Sequence, residues 1–70
     1  MTKSTLKMLA ARIRNLRINA WLSQADLAEK LGIARQSVGQ IESGTRDVNS
    51  VELAHIAKLF DVSADSLLNH

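Results

Sequence analysis

Residues 24–44 read QADLAEKLGIARQSVGQIESG, and the spacing inside this stretch decides the architecture. Leu27, Ala28 and Leu31 recur at intervals that put them on one side of a helix. Ser23 stands just before the stretch, with Asp26 three positions further on. A Ser hydroxyl there accepts from a backbone N–H of the first turn, and the Asp carboxylate reaches back to the cap, so the pair predicts a helix start. Gly32 predicts the stop, because a residue without Cβ takes the left-handed conformation at no steric cost. After a tight turn, a second helix is predicted from about Arg35 to Ser43, with Val38 and Ile41 inward and Gly44 as its end. Ala28 and Gly32 are small where two such helices meet at a steep angle, and a bulky side chain at Ala28 would push the second helix off the first.

Working outward, Leu6, Leu9, Ala10, Ile13, Leu16 and Ala20 step by three or four and predict a helix from about Thr5 to Ala20. Arg12 and Arg14 are expected to face away from that stripe. Asn49 with Glu52 is a second capping pair, opening a fourth helix whose inward residues are Leu53, Ile56, Ala57 and Phe60. Ser63 caps a short fifth helix ending in Leu67 and Leu68. Trp21 and Phe60 are the sole aromatics, and β-branched residues never alternate over a strand-length stretch, so no strand is predicted. Seventy residues make one domain. The fold class expected is all-α, a compact five-helix bundle. With no Cys in the sequence, neither a disulfide nor a Cys-based metal site supports it, so its core packs efficiently or an oligomer supplies the rest.

Charge is unevenly divided. Residues 1–35 carry seven basic and two acidic side chains, whereas residues 36–70 carry two basic and five acidic ones, giving +5 against −3. A molecule with one basic end meets a polyanion in one orientation, although chance clustering on a solvated face produces the same arithmetic. No apolar run approaches the roughly 18 residues of a membrane span, and the N-terminal stretch is too often interrupted by charge for a signal peptide. A soluble, cytoplasmic protein without a membrane partner is expected. His55 has no second His or Cys at ligand spacing and reads as a surface histidine, His70 is the last residue, and no metal or other cofactor is expected. No Ser, His and carboxylate set, paired acids beside a nucleophile or Gly-rich phosphate loop appears, so no enzyme is expected.

The stretch and its flanks resemble the helix-turn-helix of the phage-repressor and Cro-like (XRE) family. The likeness covers about residues 9–68, with the helix-turn-helix motif at 24–43 and residues 1–8 as an arm and the start of the first helix. It is carried by Ile13-Arg-Asn-Leu16-Arg17, Leu22-Ser23-Gln24, Leu27-Ala28, Leu31-Gly32-Ile33, Gln36-Ser37-Val38, Ile41-Glu42-Ser43-Gly44, Ile56-Ala57, Phe60-Asp61-Val62-Ser63 and Leu67. The resemblance implies a lambda-repressor-like DNA-binding domain whose third helix lies in the major groove. Arg35, Gln36, Ser37 and Gln40 are the candidate base-reading residues: Arg35 forks onto guanine or a phosphate, Gln36 matches adenine N6 and N7, Ser37 suits several bases, and Gln40 lies one turn further along. Ser23 and Gln24, at the start of the second helix, and Thr45 and Arg46, after the third, are the candidate phosphate contacts. Lys3, Lys7, Arg12 and Arg14 add salt-sensitive attraction, and at least half of them belong to a solvated surface. The same resemblance implies that Arg17 and Glu42 pair between the first and third helices as a scaffold.

Four positions depart from the family pattern, one of them Val48, which replaces the common Pro. Trp21 replaces the usual Gly after the first helix; a large residue disfavours a left-handed turn, so a locally different backbone is expected, with the indole either exposed near the DNA side or packed on the first or fifth helix. Ala34 leaves the third helix without a side-chain cap. Gly39, inside that helix, either permits close approach to DNA or to the first helix, or is simply tolerated. Leu67 and Leu68 cannot both point inward from so short a helix, and the outer one is the candidate dimer contact. The expected partners are double-stranded DNA and a second copy of the chain, as a transcriptional regulator, a repressor, on a near-palindromic operator. The alternative is an antitoxin-type interaction module with a toxin or anti-repressor protein as partner.

Overall fold

The structure, a computed structural model, describes residues 3–68. Five helices follow one another: α1 (Lys3–Asn19), α2 (Gln24–Leu31), α3 (Arg35–Ser43), α4 (Ser50–Leu59) and α5 (Ala64–Leu68). α3 packs against both α2 and α1, α1 also carries α5, and α4 closes the bundle on α5 and α2. The starts of α2 and α4 carry the reciprocal caps expected. Ser23 Oγ accepts from Asp26 N at 3.0 Å while Ser23 N donates to the Asp26 carboxylate at 2.9 Å. Asn49 and Glu52 repeat the exchange at 2.8 and 3.2 Å. α3 begins at Ala34 with no side-chain cap.

The ends of α1, α2, α3 and α4 are closed by one device. In each, a residue with positive φ is followed by one whose N–H reaches five residues back: Leu22 to the Arg17 carbonyl, Ile33 to Ala28, Thr45 to Gln40 and Val62 to Ala57, at 2.9–3.1 Å. These bonds satisfy carbonyls that the helix leaves unpaired. The residues at positive φ are Trp21 (+60°), Gly32 (+68°), Gly44 (+76°) and Asp61 (+54°). Trp21 thus adopts the left-handed turn that its bulk was expected to prevent. The 6→1 bond from Leu22 and the cap at Ser23 both depend on that turn, so the local backbone overrides the side chain's preference. Trp21 is 94% exposed and packs on neither α1 nor α5.

The core gathers Leu9, Ala10 and Ile13 from α1, Leu27, Ala28 and Leu31 from α2, Val38 and Ile41 from α3, Leu53, Ile56 and Ala57 from α4, and Leu67 from α5, with Val48 from the α3–α4 loop. Leu16 and Phe60 are half-buried against it, and Leu6 is half-buried as well. Ala20 is exposed, since α1 ends one residue earlier and the apolar stripe ends with it. Ala28 is buried at the α2–α3 junction, but a Cβ on Gly32 would meet nothing within 4 Å, so Gly32 serves its positive φ and not close packing.

Arg12 was expected to face away from the stripe. Instead its Nη1 donates to the Leu67 carbonyl at 2.8 Å and to that of Ser66 at 3.4 Å, tying the last turn of α5 to α1. Leu67 is 3% exposed and belongs to the core, so it is withdrawn as a dimer contact; Leu68 is half-buried against the core. Among the described residues, the large apolar side chains left exposed are Ile18, Trp21 and Val51.

At Gly39, an added Cβ would lie 3.9 Å from Gln24 Oε1, an ordinary contact, and would meet nothing on α1 within 4 Å. Packing within the bundle therefore does not require a glycine there. Gly39→Ala is expected to stabilise the domain by about 0.8–1 kcal/mol through helix propensity, read as a higher urea midpoint. An unchanged or lower midpoint would show that the α2–α3 contact has no room for the methyl.

Candidate nucleic-acid interface

α3 divides sharply between an inner and an outer face. Val38 and Ile41 are 0% and 2% exposed, whereas Arg35, Gln36 and Gln40 are exposed and Ser37 is half-buried. Since 3.6 residues complete a turn, positions 36 and 40 fall on one side, with 35 beside them. The outer face thus offers one guanidinium and two carboxamides. It carries no acid of its own, because Glu42 is turned toward α1 and α2.

That turn is imposed by Arg17. Its Nε donates to Glu42 Oε2 at 2.7 Å and its Nη2 to Glu42 Oε1 at 3.0 Å, a forked pair with side chains 12% and 3% exposed. Arg17 Nη1 donates to the Leu22 carbonyl at 2.8 Å, and Gln24 Nε2 donates to Glu42 Oε1 at 3.3 Å. One carboxylate therefore joins the end of α1, the start of α2 and the end of α3. The bond to Glu42 raises the Arg17 guanidinium above its ordinary value, against the opposing effect of burial. The Arg17–Glu42 pair was implied by the family resemblance, whereas Gln24 was expected to contact phosphate alone; its bond to Glu42 depends on a helix crossing that spacing does not reveal.

The four candidate phosphate contacts are less free than their types suggest. Ser23 is exposed, with its hydroxyl oxygen accepting in the α2 cap. Gln24 is half-buried beside Glu42. Thr45 Oγ1 lies 2.8 Å from Ser43 Oγ and donates to the Gln40 carbonyl at 3.3 Å. Arg46 is forked onto Glu52, with Nη1 at 3.0 Å and Nη2 at 2.8 Å. Arg46 is thus held on the first turn of α4, its charge matched by a carboxylate that also caps that helix. The bonds from Arg46, and then the N–H of Asn49, hold the Glu52 carboxyl below its ordinary 4.5, while burial acts in the opposite sense. Arg14 is exposed and lines a shallow groove with Arg17, Gln24, Gly39, Glu42 and Ser43, so α1 supplies a cation beside α3.

Among the described residues, no group of His, Cys, Asp or Glu side chains is arranged to hold a metal ion, and no helix is long and apolar enough to cross a membrane.

The helix-turn-helix family profile (HTH_3) matches residues 13–67, and the chain belongs to this family in its XRE, or Cro-like, form. It is similar to two proteins of Bacillus subtilis (strain 168): the uncharacterized HTH-type transcriptional regulators YobD, 39% identical over 61 residues, and YqaE, 34% identical over 61 residues. Each alignment covers 87% of this chain, which spans about half the length of these relatives, 54% and 53%. Among solved structures, it resembles the restriction-modification controller protein C.AhdI of Aeromonas hydrophila, with a TM-score of 0.83 and 34% identity over 91% of this chain and 97% of that one. The DNA-binding domain of BldD gives a TM-score of 0.83 and 31% identity over 99% and 100% of the two chains.

Two expectations follow from these ion pairs. Arg17→Ala leaves Glu42 nearly buried without its charge partner and should cost about 3 kcal/mol, seen as a lower melting temperature; an unchanged value would mean that the pair does not hold the helices. Glu52, depressed in the folded state, stabilises the fold above its ordinary value, and that contribution fades as the pH falls below 4.5 toward the depressed one. Urea midpoints measured against pH should therefore drop less steeply in this acid range for Glu52→Gln than for the unsubstituted chain.

Proposed function

We propose that this chain is the DNA-reading domain of a transcriptional regulator, with α3 lying in the major groove of double-stranded DNA. The observation that carries this reading is the exposure of Arg35, Gln36 and Gln40 together on α3, opposite buried Val38 and Ile41. Carboxamides present a donor and an acceptor side by side, the pattern that meets adenine N6 and N7, and a guanidinium meets guanine O6 and N7. Ser37, half-buried, makes the shorter contact between them. The relatives named as transcriptional regulators and the BldD DNA-binding domain support the same reading.

The positioning layer consists of Ser23 and Gln24 at the start of α2 and Thr45 in the loop after α3, with exposed Arg14 beside them. Backbone N–H groups at a helix start suit a phosphate oxygen and set register without reading sequence. Arg46 reaches phosphate only by sharing its guanidinium with Glu52. Two copies would set their α3 helices about 34 Å apart, one turn of DNA, on a near-palindromic operator, and an occupied promoter would exclude polymerase.

Gel shifts against salt test the reading. A duplex recovered from a random pool should bind well above background, with affinity falling steeply as salt rises. Gln36→Ala should weaken that complex by about 5- to 150-fold, from the loss of about 1–3 kcal/mol, while leaving the melting temperature unchanged. Salt-independent or absent binding would instead favour an interaction module with a toxin or anti-repressor as partner.

A further inference from the structure

Four helix ends share one backbone device, and they differ in what sits at positive φ. Glycine at 32 and 44 takes the left-handed conformation freely, and Asp61 belongs to the short polar residues that tolerate it. Trp21 is the exception: its side chain opposes this backbone, and at 94% exposure it returns nothing through burial. Two unfavourable features coincide at one residue: the bundle uses the turn, which closes α1, but it does not use the indole.

The surroundings of Trp21 indicate what does. Its N–H donates to the Ile18 carbonyl at 3.0 Å, and Ile18 lines a groove with Lys7, Arg14, Glu42 and Ser43. The next residue, Leu22, is held by Arg17, the side chain that grips the last turn of α3. Ser23 follows as the cap of α2, and Gln24 lies against α3 at Glu42 and Gly39. Trp21 therefore sits at the margin of the assembly that presents α3, within the chain's basic half, where a polyanion is the complementary partner.

We propose that Trp21 is a DNA-backbone contact: its ring lies on a deoxyribose and its Nε1–H donates to a phosphate oxygen on the strand bordering the groove that α3 enters. The proposal rests on the DNA-reading role argued above. An indole suits this task because it combines a broad apolar face with a single donor, and sugar–phosphate contacts add affinity without sequence preference. The indole is then retained for binding, at a left-handed turn that would cost the free fold less with glycine.

Trp21 is the sole tryptophan, so its fluorescence reports the contact directly. The 70-residue chain is titrated with a mixed-sequence duplex at low salt, with gel retardation run in parallel. Expected are a change in Trp21 emission, protection from acrylamide quenching, and a melting temperature that rises in Trp21→Gly while duplex affinity falls by about fivefold. That loss should be equal for mixed and selected duplexes, and Trp21→Phe should recover only part of it. Retardation with unchanged emission, full quenching and undiminished Trp21→Gly affinity overturns the contact and leaves the DNA-reading role standing. No retardation of the unsubstituted chain overturns both. Emission that changes with protein concentration alone, without duplex, overturns it in favour of self-association through Trp21.

Discussion

The Arg17–Glu42 fork fixes how α3 is held, and the outer face of α3 has a use only if it is held. Apolar packing is non-directional: Val38 and Ile41 keep α3 on the bundle without setting its rotation tightly. A forked pair with two further hydrogen bonds does set it, because guanidinium and carboxylate meet in one plane. The same carboxylate accepts from Gln24, and the same guanidinium donates to the Leu22 carbonyl, so α1, the α1–α2 turn and the start of α2 are indexed to α3 together. In a chain of this size little stability is in reserve, and one junction that orients three elements replaces several that orient them singly.

The arrangement also keeps two of the five carboxylates of the C-terminal half off the outer face of α3. Glu42 is turned inward to Arg17, and Glu52 is occupied by Arg46 and by the cap of α4. Both acids act within the fold, and what remains on the outer face of α3 is neutral or basic. Pairing consumes cations too: Arg12 and Arg17 of the first half, like Arg46 of the second, bind groups of the bundle. The formal +5 of the first half therefore overstates what a partner would meet.

Much of the fold was legible because local rules and tertiary packing agree. Ser23 with Asp26 and Asn49 with Glu52 cap the helices that their spacing predicts, and Gly32 and Gly44 end theirs. The outer face of α3 was legible for the same reason, since helical periodicity separates Gln36 and Gln40 from Val38 and Ile41. The misreadings involve contacts between elements distant in sequence. Arg12 was expected to face away from the apolar stripe; its partners are carbonyls of α5, which carry no side-chain signature. Arg46 reads as a loop cation until the start of α4 folds back beside it. At Trp21, residue preference pointed one way and the demand for a closed helix end the other; the hydrogen bonds of the turn prevailed.

The accounting of free charge bears on assembly. Among the described residues, the exposed cations are Lys7, Arg14, Lys30, Arg35 and Lys58, and Lys58 lies on α4, an element that makes no substantial contact with α3. Each phosphate neutralised steepens the salt dependence by about 0.9 in the logarithm of affinity, so the few cations near α3 give one copy a modest electrostatic hold. The proposed base contacts, from three or four side chains, would add discrimination more than strength. A single copy would therefore dwell briefly on any site, whereas two copies joined to each other double both terms and bind the second half-site as an intramolecular event. Hence the same scarcity of free cations that limits one copy favours the proposed homodimer. It would also give the proposed Trp21 contact, which engages backbone without needing charge, more weight in the balance than in a domain rich in unpaired arginine.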